Sequence, residues 1–433
     1  MSKSFYHTNF WGIIYIICLT LCQSVQVNAQ LQSDLNFHSI DKSNGLPSNF
    51  INAIEMDSLG FLWIATNDGL CRYDSPKQIN IYKTGQMGLG SSTIKALHAA
   101  NDSILWIGTS FGGVTKFNIL TGHHKTYSTK SDSKGQLSSD ELLSIHAMDS
   151  GEVWIGTENG LNVIYPESDS IYQFPIIQES DSHIQRKAIL NINQDDKGWI
   201  WIGTWEGSYY LYLPDADGDH SKGIFRKFNL EKENAPKHVW KIYQDSRNKY
   251  WIPTHSHGLY AMDLPETANN LQNKQDWNPT FHKFKRDLTK DGSLSNDYVL
   301  DVEEDSKGNL WIATVDGLNI LTDEEINNYD WNVTNPKTDL TFIKLFHNTN
   351  KSNTLTNNHT RKVYRDKQDL MWIGSISGIN QYNLYTNQFN VCNLSINSTD
   401  LASQYELVNG IYLQDSTTSV SYTHLTLPTI CSV

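Results

Sequence analysis

Cysteine is scarce in this chain, five in 433 residues. Two of the five, Cys18 and Cys22, fall in a leader segment described below. Cys71, Cys392 and Cys431 remain, an odd and sparse set that excludes a disulfide framework. Cys71 and Cys392 lie in the first and last repeats and could meet at a ring seam; the reading preferred for them is small buried hydrophobes. Basic blocks are also missing. Lys and Arg number 34 against 47 Asp and Glu, a formal net charge of −13, with no interleaving of aromatic and basic residues. That argues against nucleic acid and anionic membrane surfaces as partners. No long apolar run follows residue 29. A Gly-rich phosphate loop, a Ser nucleophile elbow and a His-Glu-x-x-His motif are all absent, and no cofactor is expected.

Residues 1–29 differ from the rest. Lys3 is their only charge, residues 10–22 are almost unbroken apolar sequence, and Val27-Asn28-Ala29 is a small-x-small site ahead of Gln30. This pattern predicts a secretory signal peptide; the apolar core is too short for a span of about 20 residues. The chain is expected to be exported, to the periplasm.

The dominant feature of the remainder is repetition. One phrase returns seven times: an apolar residue, Trp-Ile, a small residue, Thr or Ser, and a tight turn with Gly. It reads LWIATNDGL, LWIGTSFGG, VWIGTENGL, IWIGTWEGS, YWIPTHSHGL, LWIATVDGL and MWIGSISGI, around Trp63, Trp106, Trp154, Trp201, Trp251, Trp311 and Trp372. Spacings run from 43 to 61 residues. Strand-like units at such a period predict an all-β fold, a seven-bladed β-propeller of four-stranded antiparallel blades, over residues 30–385. The Trp-bearing strand is apolar on both faces, with Trp63 and Ala65 on one side and Leu62 and Ile64 on the other. That is expected of a blade packed between two neighbours. The indole is expected to fill the wedge, and the small residue two places on (Gly108, Gly156, Gly203) to admit the neighbour's backbone. Connectors 214–223, 264–280 and 323–339, between third and fourth strands, account for the longer spacings.

Both ends need separate treatment. Residues 35–40, LNFHSI, read as an orphan strand that closes the ring by pairing with the Trp372 blade. Residues 386–416 are expected to supply a last outer strand and the start of an eighth repeat, YELVNGIYLQDS at 405–416. Residues 417–433 are expected to be unstructured; SYTHLTLPTICSV resembles translated adapter or vector sequence. The chain is therefore read as a piece that stops inside a longer protein.

The pattern GL-x-S-x-x-I-x-x-I-x-x-D-S-x-G-x-L-W-I-x-T-x-x-G-L, clearest at residues 45–70 and 294–318, resembles the two-component regulator propeller repeat. The resemblance extends over residues 35–416. It implies the periplasmic sensor region of a hybrid two-component system, many of which recognise polysaccharide breakdown products. In that family two seven-bladed propellers and a β-sandwich precede a transmembrane helix, a histidine kinase, a receiver and often a DNA-binding domain. The resemblance further implies dimerisation and membrane attachment through those later domains, and no kinase activity in this stretch.

In a propeller the turn between second and third strands and the connector into each first strand open on one face around the channel. Residues that break the repeat there are candidate ligand contacts: Phe111 in repeat two; Trp205 and Glu206 in repeat four; His255 and His257 in repeat five; Arg186, Lys187, His238 and Trp240 in the incoming connectors. Aromatic faces with carboxylate, imidazole and guanidinium suit an oligosaccharide, and Arg186 or Lys187 would take the anion of a uronic or sulfated sugar. The competing reading is surface variation, with Trp240 buried in its blade. His255-x-His257 lacks partners at metal-ligand spacing and reads as a loop pair. Asp215-Ala216-Asp217-Gly218-Asp219 starts like a calcium loop, but His220 and Arg226 occupy its sixth and twelfth positions. No metal site is expected.

Three functions fit. One is a ligand-sensing module. Another is a secreted propeller lyase or glycoside hydrolase; its acids would be Asp68, Glu158, Glu206 and Asp316, nearly all turn formers. The third is a protein–protein platform.

Overall fold

A computed structural model describes residues 35–384 except 76–77, 101–102, 175–187, 215–219, 221, 231–237, 265–278, 333–338 and 352, together with strands Gly410–Leu413 and Ser419–Tyr422. It divides into two units, residues 1–385 and 386–433.

The first unit holds seven four-stranded antiparallel sheets. Blade one is typical: Ile51–Met56 innermost, then Leu62–Thr66, Gly69–Ser75 and Gln78–Tyr82 outermost. All seven repeat tryptophans are at most 2% exposed. Seven hydrophobic clusters make the core, one per blade interface. Trp63 packs with Ile94, Leu97, Leu105 and Ile107 of blade two, while Leu62 and Ile64 of the same strand pack with Trp372 of blade seven. Indole rings reach neighbouring blades, as in Trp154–Tyr212 (4.9 Å), Trp201–Tyr250 (5.2 Å), Trp311–Tyr382 (5.3 Å) and Trp372–Tyr73 (5.8 Å). Burying each indole contributes a few kcal/mol. A side chain at Gly203 would place its Cβ 2.6 Å from the Val239 carbonyl, and one at Gly156 2.7 Å from that of Ile189. Only glycine allows these inner strands to approach.

Two further parts of the repeat have structural roles. The Thr or Ser ending the second strand donates its hydroxyl to a carbonyl across the turn in every blade, from Thr66 to Gly69 (2.8 Å) through Ser375 to Gly378 (2.9 Å). An aspartate six residues before the Trp accepts the indole N–H in five blades, at 2.7–2.9 Å: Asp57, Asp195, Asp245, Asp305 and Asp366. Its other oxygen holds the turn between first and second strands, as Asp305 Oδ1 does with Lys307 N and Asn309 N.

His38–Ile40 pairs antiparallel with Gly378–Asn383, in register Ser39 to Asn380, and completes blade seven as its outermost strand. This is the expected closure. It also corrects the assignment of a last outer strand to residues 386–416, because the N-terminal strand already fills that place. Connector 323–339 carries a short helix, Asp323–Asn328, capped by Thr322 and holding Ile326 in the core. Cys71 is fully buried between blades seven and one, and burial pushes its thiol up to about 12; it serves as a hydrophobe. Cys392 and Cys431 lie outside the described residues.

In the second unit Gly410–Leu413 pairs with Ser419–Tyr422 as an antiparallel ladder. Residues 419–422 therefore form a strand where no structure was expected. Val420 and Tyr422 are strand formers, and the neighbouring Gly410–Leu413 strand supplies the partner.

Asp305→Ala should leave the buried Trp311 N–H and two turn amides without an acceptor. The expected loss is on the order of 2–4 kcal/mol, read as a lowered urea midpoint; an unchanged midpoint would remove the anchor role.

Candidate functional site

The innermost strands line a central cavity of about 370 Å³. Its wall follows a rule. The residue eight places before each repeat Trp stands opposite it in the ladder: Glu55, His98, His146, Asn193, Tyr243, Glu303 and Tyr364. The residue ten places before forms a second tier: Ala53, Ala96, Ser144, Asn191, Lys241, Asp301 and Lys362. These side chains bridge blades. Ser144 donates to the Ile189 carbonyl, Asn193 to that of Ile242, and Lys241 to that of Val302. Tyr243 and Tyr364 hydroxyls accept the amides of Glu304 and Met56. The wall is polarised. Lys241 pairs with Asp301 (3.0 Å) and Glu303 (2.9 Å), and Lys362 with Asp301 (3.5 Å). Burial disfavours the charges of Lys241, Asp301 and Glu303. The two lysines nevertheless hold Asp301 below the usual carboxylate range, while Glu303 stays above it.

Three wall residues are neutral at pH 7 where their types would usually be charged or titrating. Burial, opposed by the Ala99 amide, pushes the Glu55 carboxyl up to about 8. Burial, with His146 beside it at 4.9 Å between ring centroids, pushes His98 down to about 3. Burial pushes His146 down to about 4.

Around one rim of this channel, sequence-flagged residues gather. Trp205, in the second turn of blade four, lies 3.8 Å from His238 and 6.2 Å from Trp240, centroid to centroid. His238 is 5.3 Å from Trp240 and 4.6 Å from His255. Tyr298, not flagged from sequence, closes the group at 4.4 Å from His255. The local cause is Pro253, which stands where other repeats have Gly or Ala. It has no N–H to give its neighbour. The innermost strand of blade five shrinks to Tyr243–Gln244, with a lone bridge from Val239 to Thr254. The side chains of Asn191 and Asn193 take up Ile242 N and O instead, and Trp240 sits in the irregular stretch.

The polar atoms are specific. His238 Nδ1 lies against the Trp205 carbonyl and donates to it, so in the neutral ring Nε2 is the acceptor. Trp240 Nε1 is buried without a hydrogen-bond partner among the described residues. Trp205 is 49% exposed and Tyr298 39%, so ring faces are open to a ligand. The rim thus offers stacking surface, one donor and one acceptor.

The remaining candidates fall elsewhere. Glu206 is exposed beside Trp205. Phe111 is 77% exposed, at φ 62°, and none of the described ring pairs includes it. His257 is buried, with Nδ1 near Ser256 Oγ (3.2 Å) and the His255 carbonyl (3.3 Å). Arg186, Lys187 and the calcium-like stretch 215–219 lie outside the described residues. Among the described residues no group of three or more His, Cys, Asp and Glu could hold a metal ion. No helix there is long and apolar enough to cross a membrane.

Comparison with known proteins agrees with the repeat. The two component regulator propeller family matches residues 45–68 and 293–316, so the chain carries repeats of that kind. Histidine kinase P4 of Formosa agariphila is 28% identical over 87 residues, 20% of this chain and 6% of that protein. The extracellular domain of a hybrid two component system from B. thetaiotaomicron has a TM-score of 0.61 at 18% identity, covering 90% of this chain and 47% of that one. PorZ of Porphyromonas gingivalis, a surface component of the type-IX secretion system, has 0.57 at 15%, covering 78% and 47%. Virginiamycin B lyase from Staphylococcus aureus has 0.55 at 11%, covering 80% and 98%. The chain therefore spans a small part of the curated relative and about half of the extracellular domain. At these identities the structures share the fold alone, and that fold serves sensors and lyases alike.

The wall makes stability depend on pH in two directions. His98 and His146 have lowered values, so their contribution is full above about 6.5 and is lost as pH falls through 4 and 3. Glu55 has a raised value, so its contribution is full below about 4.5 and is lost as pH rises through 8. Tm measured from pH 4 to 8.5 should fall less on the acid side in His98→Gln/His146→Gln, and less on the alkaline side in Glu55→Gln. Parallel curves for wild type and variants would refute both assignments.

Proposed function

We propose that this propeller is the extracytoplasmic ligand-sensing module of a hybrid two-component sensor kinase, and that its ligand is a carbohydrate. The observation that carries the reading is the rim cluster of Trp205, His238, Trp240, His255 and Tyr298. A pyranose ring presents a C–H face and a girdle of hydroxyls. The exposed Trp205 face suits the former. The bare Nε2 of His238 and the Trp240 N–H suit the latter. The matched repeats and the likeness to an extracellular sensor domain support the sensor context. The leader-like first 29 residues support export to the periplasm. Signalling to a membrane helix and kinase, and dimerisation through such domains, belong to this proposal.

The cluster spans the second turns of blades four and five and the connectors into blades five and six, so a bound sugar touches more than one blade. Sensing by such a module needs binding without turnover.

The test is calorimetry of the chain against a panel of plant and host glycans, with product analysis. Saturable heat without product, weakened about tenfold or more in Trp205→Ala and His238→Ala, is the expected result. Release of product would favour a lyase or hydrolase, and neither heat nor product would leave a protein–protein platform.

A further inference from the structure

The opposite face of the ring carries a second feature. Five repeats place an aspartate six residues before the Trp, where it accepts the indole N–H. Repeats two and three do not: Ala100 and Met148 stand there. The turns have the same length in all seven, so Ala100 occupies the place of Asp57 in blade one. Blade three compensates, because Glu152 Oε1 takes the Trp154 N–H at 2.9 Å from another direction. Among the described residues blade two shows no such compensation. Trp106 is 1% exposed, and its indole N–H has no hydrogen-bond partner among the described residues.

At the same place a cavity of about 310 Å³ opens between blades two and three. Trp106, Ala100 and Met148 line it, so the gap left by the two missing acids and the cavity are one. Lys116 lines it too. It stands directly opposite Trp106 in the ladder, on the same face, and makes no ion pair among the described residues. Ile104 and Val153 supply apolar wall, and Asp149 and Glu167 stand at the exposed rim. The floor thus combines an indole donor and a cation with space where every comparable position holds a carboxylate or, in blade three, an apolar side chain.

We propose that this cavity binds a small organic carboxylate whose head group takes the position of the missing aspartate, accepting from Trp106 Nε1 and pairing with Lys116, while its body lies against Ile104, Val153 and Met148. Two sources share this chemistry, a short fatty acid and a sugar acid. The site lies on the face carrying the first-to-second strand turns, away from Trp205, and is independent of the carbohydrate reading.

The experiment is indole ¹H–¹⁵N spectroscopy of the full chain titrated with acetate, hexanoate and glucuronate. Trp106→Phe assigns the reporter signal. Hexanoate should shift the Trp106 indole resonance saturably and more tightly than acetate; tighter binding of glucuronate would instead make a sugar acid the source. Ala100→Asp supplies the anchor from within, so it should weaken binding at least about tenfold while leaving Tm equal or higher. Lys116→Met should weaken it several-fold and carries the test should Ala100→Asp fold poorly. Trp205→Ala should bind normally, which separates this site from the rim. No saturable shift with any of the three acids, or a shift that survives in both Ala100→Asp and Lys116→Met, overturns the proposal.

Discussion

The ring depends on one short ladder, His38–Ile40 against Ile379–Gln381. It joins parts of the chain more than 300 residues apart, and closing such a loop costs about 5 kcal/mol of chain entropy. Without it blade seven would present an unpaired edge, and the seam would rest on the packing of Trp372 and on side-chain bonds between the inner strands alone. Several bonds reinforce the closure. Asn380 donates to Ser39 Oγ, the Tyr364 hydroxyl accepts Met56 N, and Arg361 Nε donates to the Ile51 carbonyl. The seam thereby acquires the same kind of inter-blade bridge found at the other interfaces.

Much of this was legible because a propeller repeats its local chemistry. Trp63 and its six equivalents mark the interfaces, and the period counts the blades. The run LNFHSI could be placed because it was a strand without a blade. What repetition hides is contact across blades. Asp57 is plainly part of the repeated phrase, yet its bond to the Trp63 indole appears only when the turn is folded. No single residue type runs through the channel wall. Glu55, His98, Asn193 and Tyr364 look unrelated in sequence, although each stands eight residues before a Trp.

The rim cluster was partly legible for the opposite reason: Trp205, His238, Trp240 and His255 violate the repeat. Tyr298 was missed because a lone tyrosine in a connector violates nothing. Phe111 violates it as clearly as Trp205 does, but among the described residues no aromatic ring pairs with it. Pro253 decides the difference. Removing one amide from blade five breaks the inner ladder there, and that local loss brings residues from two connectors and two turns together.

These observations bear on where recognition can occur. The channel is a polar cavity on the axis of the ring, and an obvious place to seek a ligand. Its side chains, however, already use their hydrogen bonds across blade boundaries: Ser144 to blade four, Asn193 to blade five, Lys241 to blade six. A ligand taking any of these groups would have to loosen an interface. The rims carry no such debt. Among the described residues Trp240 keeps a buried donor and His238 an acceptor, while on the other face Trp106 and Lys116 keep a donor and a cation. Groups free of structural obligation lie at the two faces, and the axle between them holds the blades in register.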